Sequence, residues 1–324
     1  MMPRETLVNT VLALLLLAIP LVAVAIDEPF YVTLSTRIAI LALAAVGLNI
    51  ALGLGGLVSF GHAAFFGIGG YTAAILATHA FNAEPLFFGL EGTTSMPWIW
   101  LVAMVICGLM ALFIGLISLR TSGVYFIMIT LAFAQMIYYF AISWPAYGGE
   151  DGLSLSVRNT FPLLSTAKPL PFFVVCYTML LAAMVLFSLI RGSRFGAALQ
   201  TARQNETRLA AVGIVPLNIK LAAFVISAIV TGLAGALFAD LNRFASPSML
   251  SWHMSGELIV LVILGGKGRL FGPLAGAMLY VMFEYTLGGI TERWQFFLGL
   301  ILLGVVLFIR GGLLGLLAGK ARYG

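Results

Sequence analysis

Few side chains in this sequence could do chemistry, and most of them stand inside long apolar runs. His62 lies in the glycine-rich stretch GLGGLVSFGHAAFFGIGGY, residues 53–71. Asn49, Gln135 and Glu257 are isolated polar residues in other apolar runs. In such surroundings an amide or ionisable side chain either contacts a passing solute or holds two helices together.

Enzyme motifs are missing from the sequence. Gly266-Lys267 is followed by Gly268, whereas a phosphate-binding P-loop requires Ser or Thr at that position. The three histidines are far apart, and neither a zinc-protease motif nor a nucleophile elbow occurs. We therefore predict no catalytic residue, no metal site and no cofactor bound by this chain.

The composition indicates an integral membrane protein. Of 324 residues, 61% are hydrophobic and 9% are charged, whereas a soluble domain carries about 25% charged residues. The net charge of +5 is carried by basic residues at the ends of apolar runs, a pattern that reports topology rather than binding to nucleic acid.

The apolar runs predict an all-α polytopic protein with one transmembrane domain over residues 1–324. A helix needs about 20 residues to cross a core of roughly 30 Å, so the run 256–266 is predicted to be a half helix that ends in the glycines after Leu264. The ten predicted spans are 6–26, 34–52, 60–80, 98–118, 124–145, 172–190, 220–239, 256–266, 272–290 and 294–311.

Charge orients these spans. With a cytoplasmic N-terminus, all but five of the 17 basic residues fall on the inner side, as the positive-inside rule requires. Both termini are therefore predicted to be cytoplasmic. Residues 1–26 resemble a cleavable signal peptide, but the apolar run is longer than usual and favours a retained first helix. The outer five are Arg37, Arg158, Lys168, Arg243 and Arg293.

The glycine-rich stretch predicts close helix contacts. Gly67 and Gly70 leave one face of the third span almost without side chains, and Ser59 is its predicted N-cap. Gly53 begins a predicted backbone break before that span. The bare face suits a wall of a translocation pathway or static packing alone. His62, in the first turn, suits a gate or a hydrogen bond that fixes the entry of the helix.

Further polar residues are candidates for the pathway. Glu257 is predicted to lie near the outer mouth and Glu284 in the outer half of its span, where a zwitterionic solute could use them; either could instead pair with Arg243 or Arg293. Asn49 and Gln135 either face the pathway or bridge helices.

The longest inner loop, 191–219, contains a predicted surface helix followed by a turn of small residues that Pro216 ends. It is either a basic loop held against anionic lipid or a docking surface for a cytoplasmic protein. The longest outer loop is 145–171. The inner-loop residues predicted to carry the contact are Arg194, Phe195, Ala202, Arg203, Glu206, Arg208, Ala210, Ala211 and Gly213.

The sequence resembles the longer membrane subunit of the branched-chain amino acid family of ABC importers. The resemblance covers most of residues 40–280, and its motifs occur in the family's order: SFGHAAFFGIGGY at 59–71, LAFAQ at 131–135, ARQNETRLAAVGI at 202–214 and LFGP at 270–273. ABC importers commonly place Glu-Ala-Ala four residues before a Gly in this inner loop, whereas here Ala210-Ala211 stands two before Gly213.

The resemblance implies import across the bacterial inner membrane, with ATP and Mg²⁺ bound by other chains. The implied partners are a second, homologous permease, two cytoplasmic ATPases and an extracytoplasmic binding protein, besides membrane lipid. The implied solute is a branched-chain or other small amino acid; urea, amides and small carboxylates are alternatives within the family. An ion-coupled secondary transporter and an uncoupled channel or scaffold are alternatives of other classes.

Overall fold

The computed structural model describes residues 4–86, 91–162, 164–308 and 311–318. Within these ranges the chain forms thirteen α-helices and one small antiparallel sheet, whose strands β1 and β2 are Leu153–Ser154 and Phe244–Ala245. In chain order α1 to α13 are Arg4–Ala25, Pro29–Asn49, His62–Asn82, Met96–Ser118, Val124–Ile142, Pro169–Gly192, Arg194–Gln204, Glu206–Ala211, Pro216–Asn242, Trp252–Gly265, Gly272–Gly288, Trp294–Phe308 and Gly312–Ala318.

Seven segments of the described chain are long and apolar enough to cross a membrane, which confirms an all-α polytopic protein. The other three predicted spans correspond to α10, α11 and α12, with 14, 17 and 15 residues. Because 14 residues extend about 21 Å, α10 is short of a full crossing, as predicted. The seven segments are Leu7–Ala25, Pro29–Leu54, His62–Asn82, Met96–Ser118, Val124–Ile142, Pro169–Gly192 and Pro216–Asn242.

Helices α2 and α9 form the centre of the bundle. Helix α2 packs on α9, α6 and α11, while α9 also packs on α3 and α4. In the α2 segment, 94% of the apolar window is buried, compared with 17% in α5. The sequence of α2 explains this position, because its residues 38–49 are small or aliphatic on every side apart from the terminal Asn49.

The two ends of the bundle differ. One end carries α7, α8 and the turns 55–61 and 266–271, and we call it the α7–α8 end. At the opposite end the loop 143–168 folds over α3 and α9. There Asn159 Nδ2 donates to Asp240 Oδ1 over 2.7 Å, and Arg158 donates to the carbonyl of Asp240 and stacks over the Phe172 ring.

Two connecting segments enter the bundle from opposite ends. Residues 55–61 lead from the α7–α8 end to His62, and residues 243–251, which include β2 and a 3₁₀ turn at Pro247–Leu250, lead from the opposite end to α10. Ser255 in the first turn of α10 bonds to the first segment and to α3: its Oγ accepts from the Ala63 N–H over 2.8 Å and donates to the Phe60 carbonyl over 2.6 Å. Irregular backbone at such depth is tolerated where protein surrounds it.

Two predictions at the start of α3 were wrong. The N-cap is Gly61 rather than Ser59, whose Oγ instead accepts from the Gly61 N–H over 3.1 Å. The break does not begin at Gly53, because residues Ile50–Leu54 continue α2 as a π-helical turn. The chain leaves the helical path after that turn, at Gly56, where φ is +69°.

Arg37 was assigned to an outer loop by the charge count, but the structure places it inside α2. Three basic residues assigned to the inner side, Arg310, Lys320 and Arg322, lie outside the described residues, and so do the ends of the chain at 1–3 and 319–324.

Candidate coupling surface and polar sites in the bundle

The predicted inner loop folds as two capped helices. Ser193 Oγ accepts from the Gly196 N–H over 3.1 Å at the start of α7, and Asn205 Oδ1 accepts from the Arg208 N–H over 3.0 Å at the start of α8. Both are the side-chain caps that Ser and Asn favour. Gly213 then turns the chain with φ of +83°, and Pro216 opens α9.

A small apolar core holds α7 and α8 together. Ala198, Ala202 and Leu209 are buried, and Ile214 and Ile219 pack against them. Glu206 forms an ion pair with Lys220 of α9, which fixes α8 to a central helix. Helices α7 and α8 with the turn up to Pro216 therefore form one compact unit, which we call the α7–α8 knob.

The tip of this knob is apolar and exposed. Val212 is 76% exposed, and Ala210, Ala211 and Gly213 beside it are exposed too. Arg208 is also exposed, as is Arg194 at the start of α7, whereas Phe195 is partly buried against the main core. An exposed apolar tip bordered by charged residues is typical of a protein-binding surface.

Arg203 instead turns toward the bundle. Its Nη1 donates to the Gly53 carbonyl over 2.9 Å. Its alkyl chain lies against the next turn, since a Cβ atom on Gly56 would come within 2.8 Å of Arg203 Cγ. Helix α7 is thus bonded to the π turn that continues α2.

Asn49 continues this connection from α2 to the turn between α10 and α11. Its Oδ1 accepts from the Gly268 N–H over 2.8 Å, and its Nδ2 donates to the Arg269 carbonyl over 3.0 Å. Gly53 lets the two turns approach, because a Cβ atom there would lie 2.1 Å from Asn49 Oδ1. Asn49 therefore bridges two elements.

The glycine face of α3 is covered rather than bare. A Cβ atom on Gly67 would lie 2.2 Å from the Leu250 side chain, and one on Gly70 would lie 2.5 Å from Met249 Cε. The closest backbone approach is at Gly69, where a Cβ atom would lie 1.8 Å from the Gly232 carbonyl oxygen of α9. The sequence analysis did not single out Gly69.

His62 is fully buried between α3, α2 and α9. Its Nε2 lies 2.7 Å from Ser227 Oγ, which in turn donates to the Gly47 carbonyl over 2.6 Å. The rings of Phe65 and Phe224 meet the imidazole edge to face at 5.7 and 5.6 Å. His62 therefore makes the hydrogen bond that one of its two predicted roles requires.

Gln135 lies on α5, in which 17% of the apolar window is buried. Its Nε2 is buried without a hydrogen-bond partner among the described residues, as is the hydroxyl of Tyr71 on α3. An apolar groove of about 490 Å³ runs between α3, α4 and α5 and is lined by Tyr71, Thr72 and Leu250. Gln135 itself does not line this groove, but its neighbours Met136 and Ile137 do.

Glu257 belongs to a charged cluster near the opposite end of the bundle. Arg37 Nη2 lies 2.9 Å from Glu284 Oε1, so Glu284 pairs with Arg37 and not with Arg243 or Arg293. Glu257 on α10 faces Glu284, Arg37 and the hydroxyl of Tyr280. Both glutamates were predicted as polar candidates, but the predicted pairing of Glu284 with Arg243 or Arg293 was wrong.

Comparison with known proteins decides which family this arrangement belongs to. Residues 30–306 match the family of branched-chain amino acid transport system permease components. The chain belongs to this family. Over 332 residues it is 28% identical to the high-affinity branched-chain amino acid transport system permease protein LivM of Escherichia coli. The aligned region covers 92% of this chain and 74% of that protein.

The LivM protein of Salmonella typhimurium is similar to the same degree, with 28% identity over 323 residues, 91% of this chain and 73% of the relative. No solved structure matches the chain. This permease-family protein is thus a multi-pass transmembrane subunit of an ABC transporter. Permeases of this family are not themselves catalytic. Membership of the family implies ATPase and substrate-binding partners.

The permease structure brings two sets of predicted residues together. Arg203 and Asn49 meet through Gly53, and Glu257 meets Glu284 through Arg37.

The residues that sequence reasoning missed are the partners, namely Lys220, Ser227, Ser255 and Arg37. Arg37 carried a visible signal, since it interrupts an apolar run. Among the described residues, no three His, Cys, Asp or Glu side chains group as metal ligands.

Proposed function

We propose that this permease moves branched-chain or other small amino acids inward across the bacterial inner membrane, driven by ATP hydrolysis on two separate ATPase subunits. The α7–α8 knob is the observation that carries the proposal. It is capped, has its own apolar core, and presents an exposed apolar tip. Within the proposal the α7–α8 end is cytoplasmic, residues 191–219 form the coupling loop, and the loop 145–171 faces an extracytoplasmic binding protein.

The contacts beneath the knob supply a route for mechanical coupling. When the ATPases close, they displace α7 and α8. Arg203 passes that displacement to the π turn at Gly53, and Asn49 passes it to the turn at Gly268. Because α2, α10 and α11 all end at these two turns, one docking site can shift three helices together. Coupling through an element with two arrangements is what transport requires.

The exposed face of α5 supports a second permease as partner. Tyr125, Met128, Met136 and Tyr139 are large and each at least 55% exposed. A homologous subunit on this face would enclose the apolar groove between α3, α4 and α5. We place Gln135 and Glu257 on the solute pathway, and we place Asn49, His62, Gly67 and Gly70 in the framework that positions its walls.

The experiment that tests this proposal is purification of the tagged chain from its native membrane, followed by mass spectrometry of stoichiometric partners and by reconstitution into vesicles. We expect two ATPase chains, a second permease, and uptake of L-leucine that requires ATP. Uptake of urea or a small carboxylate by the same assembly would replace the solute but keep the mechanism. Ion-driven flux by this chain alone would refute the proposal and favour a secondary transporter.

A further inference from the structure

Arg37 and Glu284, two members of the charged cluster, line an open cavity near the end of the bundle opposite α7 and α8. The cavity has a volume of about 820 Å³, and its walls include Thr33, Arg37, Glu284, Tyr285 and Trp294. Arg37 lies eight residues after the start of α2, so its backbone is about 12 Å below the end of that helix. The charges are therefore inside the membrane span and still reachable from one side.

Charged groups at that depth are costly and are usually paired or functional. Arg37 and Glu284 are paired, but the pairing leaves atoms over. Glu284 Oε2 is buried and has no hydrogen-bond partner in the described part of the chain. The Arg37 side chain remains 35% exposed, with one of its guanidinium nitrogens engaged by Glu284. Glu257 adds a second carboxyl group behind Glu284.

We infer that this cavity binds a zwitterion, with an ammonium group against Glu284, whose charge Glu257 reinforces from behind, and an acidic group against the free edge of Arg37. A cluster with two carboxylates and one guanidinium matches an ammonium near a carboxylate or phosphate. The rings of Tyr285 and Trp294 would cover the ammonium side of such a ligand, since aromatic faces attract cations. A free α-amino acid and the headgroup of phosphatidylethanolamine both have this chemistry. The identification of the ligand as a free amino acid rests on the proposed function.

The test measures how fast a cysteine in the cavity wall reacts with a membrane-impermeant thiol reagent. Thr33→Cys places the thiol in the wall, while native Cys107 and Cys176 are fully buried. Asp151→Cys, on the exposed loop at the same end, is the matched control. The complex with its copurified partners is placed in nanodiscs of phosphatidylglycerol alone, with or without L-leucine, or in nanodiscs that also contain phosphatidylethanolamine.

We expect L-leucine at four times its Kd to slow labelling of Thr33→Cys about fivefold, as mass action requires, and to leave Asp151→Cys unchanged. Isoamylamine and 4-methylvalerate, which each lack one charge, should protect far less. If phosphatidylethanolamine protects and leucine does not, the zwitterion is the lipid headgroup. In the paired variant Arg37→Gln with Glu284→Gln protection should be lost, whereas Glu292→Gln with Arg293→Gln should keep it.

The inference is refuted if neither zwitterion slows labelling, if the singly charged analogues protect equally, or if the paired Gln variant keeps protection. ATP-dependent uptake by the unmodified complex is measured in parallel. Absence of uptake for every amino acid refutes the proposed function, whereas the labelling result alone decides whether the cavity binds a zwitterion.

Discussion

Arg203 in α7 donates a hydrogen bond of 2.9 Å to the carbonyl oxygen of Gly53, which lies in the π turn that continues α2. The two residues are 150 positions apart in sequence. This bond joins the loop that we propose as the ATPase docking surface to the centre of the bundle. Within the proposed function it separates two roles of that loop, namely holding the ATPase and transmitting its movement.

The first prediction concerns transmission. Arg203→Gln removes a charged hydrogen bond worth about 1.5–3 kcal/mol, so the knob should move without displacing the π turn. We expect the ATPases to copurify normally, while solute transported per ATP hydrolysed falls about tenfold, since 1.4 kcal/mol is a factor of ten. Arg208→Gln is the variant for comparison, because the Arg208 side chain is exposed on the knob. A normal ratio of solute transported to ATP hydrolysed in Arg203→Gln would contradict the role of Arg203 in transmission.

The second prediction concerns docking. Val212 is 76% exposed at the tip of the knob, and Val212→Asp places a charge where an apolar contact is expected. Copurification of the ATPases should fall at least about tenfold, because a desolvated interface centre does not tolerate an unpaired charge. Val157, which is 52% exposed at the opposite end, supplies the control. Val157→Asp should leave ATPase recovery unchanged, and equal recovery from both variants would remove Val212 from the interface.

The third prediction concerns the crossing of α3 and α9. A Cβ atom at Gly69 would overlap the carbonyl oxygen of Gly232, so Gly69→Ala must separate the two helices. We expect a loss of about 1–3 kcal/mol in the free energy of unfolding. Unfolding can be followed by a dye that reacts with Cys107 and Cys176 as these buried thiols become exposed.

Gly299→Ala in α12 is the control for that experiment. A Cβ atom at Gly299 has no neighbour within 4 Å among the described residues. Since Ala is favoured over Gly in a helix by about 1 kcal/mol, this variant should unfold at the same or a higher temperature. A Gly69→Ala protein as stable as Gly299→Ala would show that the crossing is looser than described.

The fourth prediction concerns the bridge between the two turns. Asn49→Ala removes the side-chain hydrogen bonds to the partly buried N–H of Gly268 and to the carbonyl of Arg269. The cost should be about 1–3 kcal/mol in the same unfolding assay. Asn82→Ala, at an exposed helix end, should change the free energy by less than about 0.5 kcal/mol. A stability of Asn49→Ala equal to that of the Asn82 variant would exclude a bridging role.

The sequence by itself determined the class of protein and most of its helices. Long apolar runs need no tertiary information, because crossing a bilayer requires about 20 apolar residues with satisfied backbone groups. The short α10 was predictable for the same reason. The buried face of α7 was predictable too, since Ala198, Leu199 and Ala202 recur at helical spacing.

Only the tertiary structure decided which polar residues meet. Arg203 on α7 and Arg208 on α8 are alike in sequence and both are exposed, yet Arg203 reaches the Gly53 carbonyl because α7 packs against α9 and the π turn after α2. Likewise Glu284 pairs with Arg37, 247 residues away. Helical periodicity fixes which face a residue occupies on its own helix, but the partner depends on the packing of helices distant in sequence.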